Sequence, residues 1–176
     1  MDRIVVVGAP GCGKTTTARA ISTALDIPHT ELDALWWEPN WVEAGADKFV
    51  ERVRQVLQQD RWVVDGNYFS VGAREAIWPK ADTIVWLDLP RRIAVPRVVR
   101  RSASRVIHKT ELWNGNRERS LEVLRPDSIV RFAWTAWPKY GQRYEELIAT
   151  GEFDNVDWIR LRTPLEIRRW VDGLRA

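Results

Sequence analysis

The chain has 176 residues, 27 Lys and Arg against 24 Asp and Glu for a net charge of +3, one Cys and 11 Trp. This length suits one domain with a real core, and the lone cysteine excludes an intramolecular disulfide and fits a reducing compartment. No apolar stretch approaches the roughly 20 residues of a membrane span, and no leader pattern precedes the first apolar run, so a single cytoplasmic domain with no membrane partner is expected.

In chain order, Arg3 to Val7 is an apolar, β-branched run that reads as a buried strand. It enters Gly8-Ala9-Pro10-Gly11-Cys12-Gly13-Lys14-Thr15-Thr16, and a helix is expected over about 14–25. Strand, glycine-rich loop and helix are the context in which Gly-x-x-x-x-Gly-Lys-Thr binds phosphate. Gly8, Gly11 and Gly13 let successive N–H groups turn inward as an anion nest, and the helix N-terminus adds partial positive charge. Lys14 would reach the β- and γ-phosphates, and Thr15 would ligate Mg²⁺. Cys12 and Thr16 complete the loop contacts. Loop N–H groups and Lys14 would also lower the Cys12 pKa, although a small residue filling a loop position is the simpler reading.

Ile27 to Leu32 is a second expected strand, followed by an irregular Trp-rich stretch over 33–45 and a helix over about 47–59. Trp62 to Val64 is a third strand, ending at Asp65-Gly66, and Thr83 to Leu87 a fourth, ending at Asp88. A helix is expected from Arg91 to about Arg105, kinked or restarted at Pro96. Residues 102–119 lack periodicity and read as a loop or lid. Two helices follow, near 128–137 and 138–150, then a strand from Val156 to Leu161 and a capping box at Thr163-Pro164-Leu165-Glu166. The alternation predicts an α/β domain with a parallel sheet. Most of the tryptophans are expected in the core, with some lining a cleft.

Several charged residues fall where such sheets bind ligands, outside the carboxyl ends of the strands. Asp33 could accept the proton of a hydroxyl that attacks phosphorus; its structural alternative is a turn cap. Asp65 is the stronger of two candidates for Mg²⁺, with Asp88 the weaker. Arg97, Arg101 and Arg105 recur at helical spacing and would gather phosphates, since three unpaired guanidinium groups on one face repel. Arg100, Arg117 and Arg119 are weaker lid candidates. Trp36, Trp37 and Trp41 would form either an aromatic wall or a small core of their own. His29 and His108 receive no role, nor does Trp113 to Glu118.

These motifs resemble the adenylate-kinase-like P-loop kinases. Leu32 to Trp41, Trp62 to Tyr68 and Ala81 to Pro90 most resemble the bacterial topology modulation, or FlaR-like, proteins. The resemblance implies a P-loop NTPase fold of nucleoside-monophosphate-kinase type, with five parallel strands in the order 2-3-1-4-5, an acceptor side over about 33–60 and an arginine-rich lid over about 102–119. It implies ATP and Mg²⁺ as cofactors and a small-molecule acceptor as partner. Where adenylate kinases continue Asp-Gly with Phe-Pro-Arg, this chain has Asn67-Tyr68-Phe69. The clamp for an acceptor phosphate is missing, which favours a hydroxyl acceptor over AMP. An adenylate kinase, a nucleotide-dependent regulator associated with DNA topology and a polynucleotide 5′-hydroxyl kinase are the alternatives. Nucleic acid is the less favoured partner because phosphates already account for the basic patch.

Overall fold

The structure, a computed structural model, describes residues 1–118 and 129–175. Strands β1 (Arg3–Gly8), β2 (His29–Glu31), β5 (Trp62–Asp65), β6 (Thr83–Leu87) and β7 (Asp157–Leu161) form one parallel sheet in the order β2-β5-β1-β6-β7. Numbered among themselves along the chain, these strands stand in the expected order 2-3-1-4-5. The strands read as continuous apolar runs because both faces of the sheet are covered. Val5, Val7, Trp62, Val64, Ile84 and Trp86 pack with Phe49, Trp78 and Tyr144 on one side. The alternate residues Ile4, Val6, Val63, Val85 and Leu87 pack with Ala18, Ile21, Leu89 and Ala94 on the other.

The helices are α1 (Lys14–Leu25), α2 (Leu32–Trp36), α3 (Ala46–Val56), α4 (Ala73–Ile77), α5 (Arg91–Ile107), α6 (Ile129–Ala149) and α7 (Pro164–Gly173). The expected cap of α7 is present: Thr163 Oγ1 accepts the Glu166 N–H at 3.1 Å, while Glu166 accepts the Arg162 N–H at 2.7 Å.

The structure departs from the sequence reading in five places. The stretch over 33–45 is ordered, with α2 followed by an antiparallel hairpin, β3 (Trp37–Glu38) and β4 (Val42–Glu43). β2 is shorter than expected because Leu32 turns inward to begin α2 and is buried. α5 runs through Pro96 to Ile107, so 102–107 are helical; its buried face of Ala94, Val98 and Ser102 outweighs the bond lost at proline. The two helices expected at 128–150 are the single helix α6, which passes through Pro138. Trp137 donates to the Leu89 carbonyl at 3.0 Å on one side of that proline, and fully buried Tyr144 anchors the other. Finally, only Trp36, Trp62, Trp78 and Trp86 are core tryptophans. Most of the others lie half-buried, where an indole can pack its body and still use its N–H.

Candidate nucleotide and acceptor site

β1 delivers the chain into the loop at the carboxyl end of the sheet, and the glycines there are set by close approach. At Gly11, φ is +84° and a Cβ would stand 2.1 Å from the Ala94 carbonyl oxygen, so α5 lies directly against the loop. At Gly66, a Cβ would meet Leu32 Cβ at 2.9 Å, which is why the strand ending in Asp65 turns on glycine.

Asn67 braces the entry to the loop. Its Nδ2 donates to the Gly8 carbonyl at 2.9 Å, and its Oδ1 accepts the Gly8 N–H at 3.3 Å and the Tyr144 hydroxyl at 2.8 Å. The Gly8 carbonyl also accepts from Lys14 Nζ at 3.0 Å. Burial lowers the Lys14 pKa, opposed by Asp65, Cys12 and Asp33. Lys14 is thus held over the loop by a carbonyl that keeps a second donor if the ammonium leaves.

Thr15 and Asp65, both candidates for Mg²⁺, meet, the hydroxyl donating to Asp65 Oδ1 at 3.0 Å. The other carboxylate oxygen, Oδ2, lies 2.7 Å from His29 Nε2, and both side chains are nearly buried. His29 is therefore a site residue that the sequence reading left without a role. The missed signal is its place at the head of β2, two register positions before the Asp65 pairing on β5.

Asp33 lies in the first turn of α2 and is no turn cap: Glu31 holds the N-cap position, and Asp33 Oδ1 instead accepts the Tyr68 hydroxyl. Burial raises the Asp33 pKa, with Tyr68 and Lys14 pulling it down. Tyr68 itself is pushed well above the ordinary phenol by burial and the neighbouring carboxylate, so it stays a hydroxyl donor. The tripeptide replacing Phe-Pro-Arg therefore has internal duties. Asn67 holds the loop, Tyr68 holds Asp33, and Phe69 joins Trp78, Tyr140 and Tyr144 with Arg143 over its ring at 4.0 Å.

The arginine face of α5 is not three free guanidinium groups. Arg105 pairs with Glu118 at 2.8 Å in a largely buried contact, so the assumption that all three await a ligand fails for Arg105. Arg97 and Arg100 are exposed. Arg101 is exposed as well, but partial desolvation of its guanidinium and then the Arg105 charge lower its pKa, with Glu118, Asp33 and Glu31 opposing, so Arg101 feels the carboxylates of Asp33 and Glu31. Arg117 pairs with Glu111 at 3.3 Å, and Arg119 lies outside the described residues.

Trp113 to Glu118, unassigned from the sequence, form a strap across the Trp-rich hairpin. Asn114 Nδ2 donates to the Trp37 carbonyl, and Asn116 Nδ2 to that of Glu38 at 2.8 Å. Asn116 Oδ1 accepts the Trp41 N–H at 2.8 Å, Trp41 Nε1 donates to the Arg117 carbonyl at 3.2 Å, and Trp113 Nε1 donates to Glu31 at 2.9 Å. Trp41 has φ +59°, a strained conformation for a bulky residue, and the strap is what fixes it. Trp37 contacts Trp36 and Trp41 edge to face, and Trp36 also packs on Phe49 and Tyr68, so they form a small core.

Cys12 takes the simpler of its two readings, and Asp88 is engaged by another partner. Burial is the largest influence on Cys12 and raises its pKa, so the thiol is a packed loop residue rather than an activated one. Asp88 is occupied by Arg160, which donates to it through Nε at 2.9 Å and Nη2 at 2.7 Å while covering Trp86. It ties the end of β6 to β7. Thr16 and His108 are exposed.

The oxygen donors Thr15 and Asp65 suit Mg²⁺, a hard cation that takes one or two protein oxygens beside phosphates and water. Among the described residues, no group of three or more His, Cys, Asp or Glu gathers to hold a metal without such a ligand.

Residues 4–65, from β1 to the end of β5, match the family described as "ATPase family associated with various cellular activities (AAA)". The chain is 31% identical over 142 residues to an adenylate kinase of Streptomyces griseus subsp. griseus, an alignment covering 61% of this chain and 64% of that protein. It thus spans just under two thirds of that relative's length. Among solved structures, a shikimate kinase from Acinetobacter baumannii in complex with shikimate superposes with a TM-score of 0.61 at 15% identity, covering 99% of this chain and 90% of that one. The five-stranded parallel sheet with its loop and flanking helices is the α/β fold that this chain shares with that structure.

Proposed function

We propose that the chain is an ATP-dependent phosphotransferase that moves the γ-phosphoryl group to the hydroxyl of a small acceptor. The observation that carries this reading is the Asp33 carboxylate. It is withdrawn from water, steered by Tyr68, and set in the field of Lys14 at the carboxyl end of the sheet.

In this reading the loop N–H groups receive the phosphates, and Lys14 exchanges the Gly8 carbonyl for phosphate oxygens. Thr15 and Asp65 would hold Mg²⁺, which would neutralise charge on the phosphates. The acceptor hydroxyl meets Asp33 Oδ2, the oxygen that Tyr68 does not engage. As the bond from acceptor oxygen to γ-phosphorus forms and the bond from γ-phosphorus to the bridging oxygen breaks, ADP departs and the hydroxyl proton passes to Asp33. Arg97 and Arg101 supply positive charge to the transferring group, while Arg105 holds Glu118 and with it the strap.

The single unit comprises an acceptor side over about 33–60 and a lid that includes the strap. The resemblance to topology modulation proteins belongs to this reading, as does a site in the cytoplasm. Among the described residues, no helix is long and apolar enough to cross a membrane.

AMP is the competing acceptor, favoured by the relative described as an adenylate kinase. Incubation with ATP and Mg²⁺ against AMP and against a panel of sugars, nucleosides and hydroxy acids, followed by ADP formation, decides between them. Transfer to a hydroxyl acceptor that Asp33→Asn abolishes is the expected result. Rapid turnover with AMP that survives Asp33→Asn would overturn it.

A further inference from the structure

The buried imidazole of His29 is a titratable group that the proposed chemistry does not use. It opens β2, and its ring lies on the same side of the sheet as Asp65, where α1 covers both. The side chains are only 10% and 6% exposed, and Nε2 stands 2.7 Å from Asp65 Oδ2. An ionised carboxylate offers acceptors alone, so the ring proton facing it resides on Nε2 and the contact is a donated hydrogen bond. On its other side, Asp65 Oδ1 accepts the Thr15 hydroxyl at 3.0 Å. The carboxylate is bracketed by two donors from different elements, which leaves it one orientation.

That bracket has a consequence for the metal. Mg²⁺ is small and nearly strictly octahedral, and takes carboxylate oxygens one at a time, whereas Ca²⁺ is larger and readily accepts both oxygens of one carboxylate. We propose, resting on the nucleotide reading above, that His29 is a positioning residue that reserves Asp65 Oδ2 and presents Oδ1 alone to the loop, so that the site prefers Mg²⁺ to Ca²⁺. Partners of metal-ligating groups commonly change metal affinity by about 10- to 100-fold when removed.

The experiment measures ADP affinity calorimetrically in Mg²⁺, in Ca²⁺ and in EDTA, for the full chain and two variants. His29→Gln keeps a donor near the Nε2 position; His29→Leu keeps the bulk without it. Wild type is expected to bind ADP more tightly with Mg²⁺ than with Ca²⁺. In His29→Leu the Mg²⁺ enhancement should fall about 10-fold and the gap between the two metals narrow, while affinity in EDTA stays at the wild-type value. His29→Gln should restore most of the gap. If the leucine variant does not fold, His29→Asn, whose shorter amide falls short of Asp65, takes its place.

An unchanged preference in the donor-less variant overturns the proposal. So does an equal loss of affinity in EDTA and in Mg²⁺, which would make His29 a support of the loop only. Failure of wild type to bind ADP under every condition would instead overturn the nucleotide reading, and this inference with it.

Discussion

The two halves of the site are built by opposite means. At the proposed nucleotide end, the loop is held by its own strand, its own helix and Asn67. At the acceptor end, a five-residue helix and a two-plus-two-residue hairpin could not stand alone, and they are fixed by asparagine and tryptophan side chains from the strap. The first half is the kind of structure that many enzymes can share. The second is tailored, and in the proposed function specificity for an acceptor would belong there.

Breaking the nucleotide half should have the largest effect. Lys14→Ala is expected to lower turnover by about 1,000-fold, the scale seen when a preorganised charge on a transferring group is lost. Its melting temperature should stay close to wild type, because Asn67 still satisfies the Gly8 carbonyl. Calorimetric titration with ATP and Mg²⁺, beside a thermal melt, checks both.

At the junction of the halves, Asp33→Asn should cost about 100-fold in turnover, as for loss of a general base, with ATP affinity retained. Tyr68→Phe sharpens this test through pH. Asp33 must be ionised to accept a proton, and its pKa is raised by burial while the Tyr68 hydrogen bond holds it down. Removing that bond raises the pKa further, so the acidic limb of kcat/KM should move to higher pH. A limb that stays in place would show that Asp33 is not the base.

The arginine face separates transfer from architecture. Arg97→Ala and Arg101→Ala are expected to slow turnover by about 10-fold with unchanged melting, since each loses one charge contact to phosphate. Arg105→Ala should instead lower the melting temperature, because it leaves Glu118 buried without its cation.

The smallest kinetic effect is expected from breaking the acceptor half. Asn116→Ala removes two hydrogen bonds to the hairpin backbone and should destabilise the protein by about 2 kcal/mol, or roughly 4–8 °C in Tm. The hairpin would then have to be ordered by the acceptor itself. Acceptor KM should rise about 5-fold, a cost of about 1 kcal/mol, with ATP KM unchanged.

How far the sequence could be read follows the same division. The strands and the loop were legible because strand periodicity and glycine spacing are local signals, and the strand order came from the family resemblance; Thr15 and Asp65 were read separately as metal candidates, and their contact was not legible. Asp33 was legible as a candidate by its position at a strand end. Its Tyr68 partner was not, because a phenol offers no periodic mark. His29 was missed because Asp65 is 36 residues away and only parallel pairing unites them. The continuity of α6 through Pro138 was hidden because burial of Tyr144 is a tertiary effect that local propensity does not encode. Arg105 was read as free for the same reason, since Glu118 comes back to it only through the turn at 113–115.

The strap joins backbone positions 75 to 80 residues away in the chain. Contacts of that separation close only after the intervening sheet has formed, because the loop they would otherwise have to close is long and disordered. Hairpin and strap should therefore be the last part of the described fold to assemble and the first to open. In native-state hydrogen exchange, the amide of Trp41, bonded across the strap, should exchange together with that of Leu112, bonded within it, well before those of β1. The acceptor side would then behave as a separate unit of opening on a sheet that stays closed.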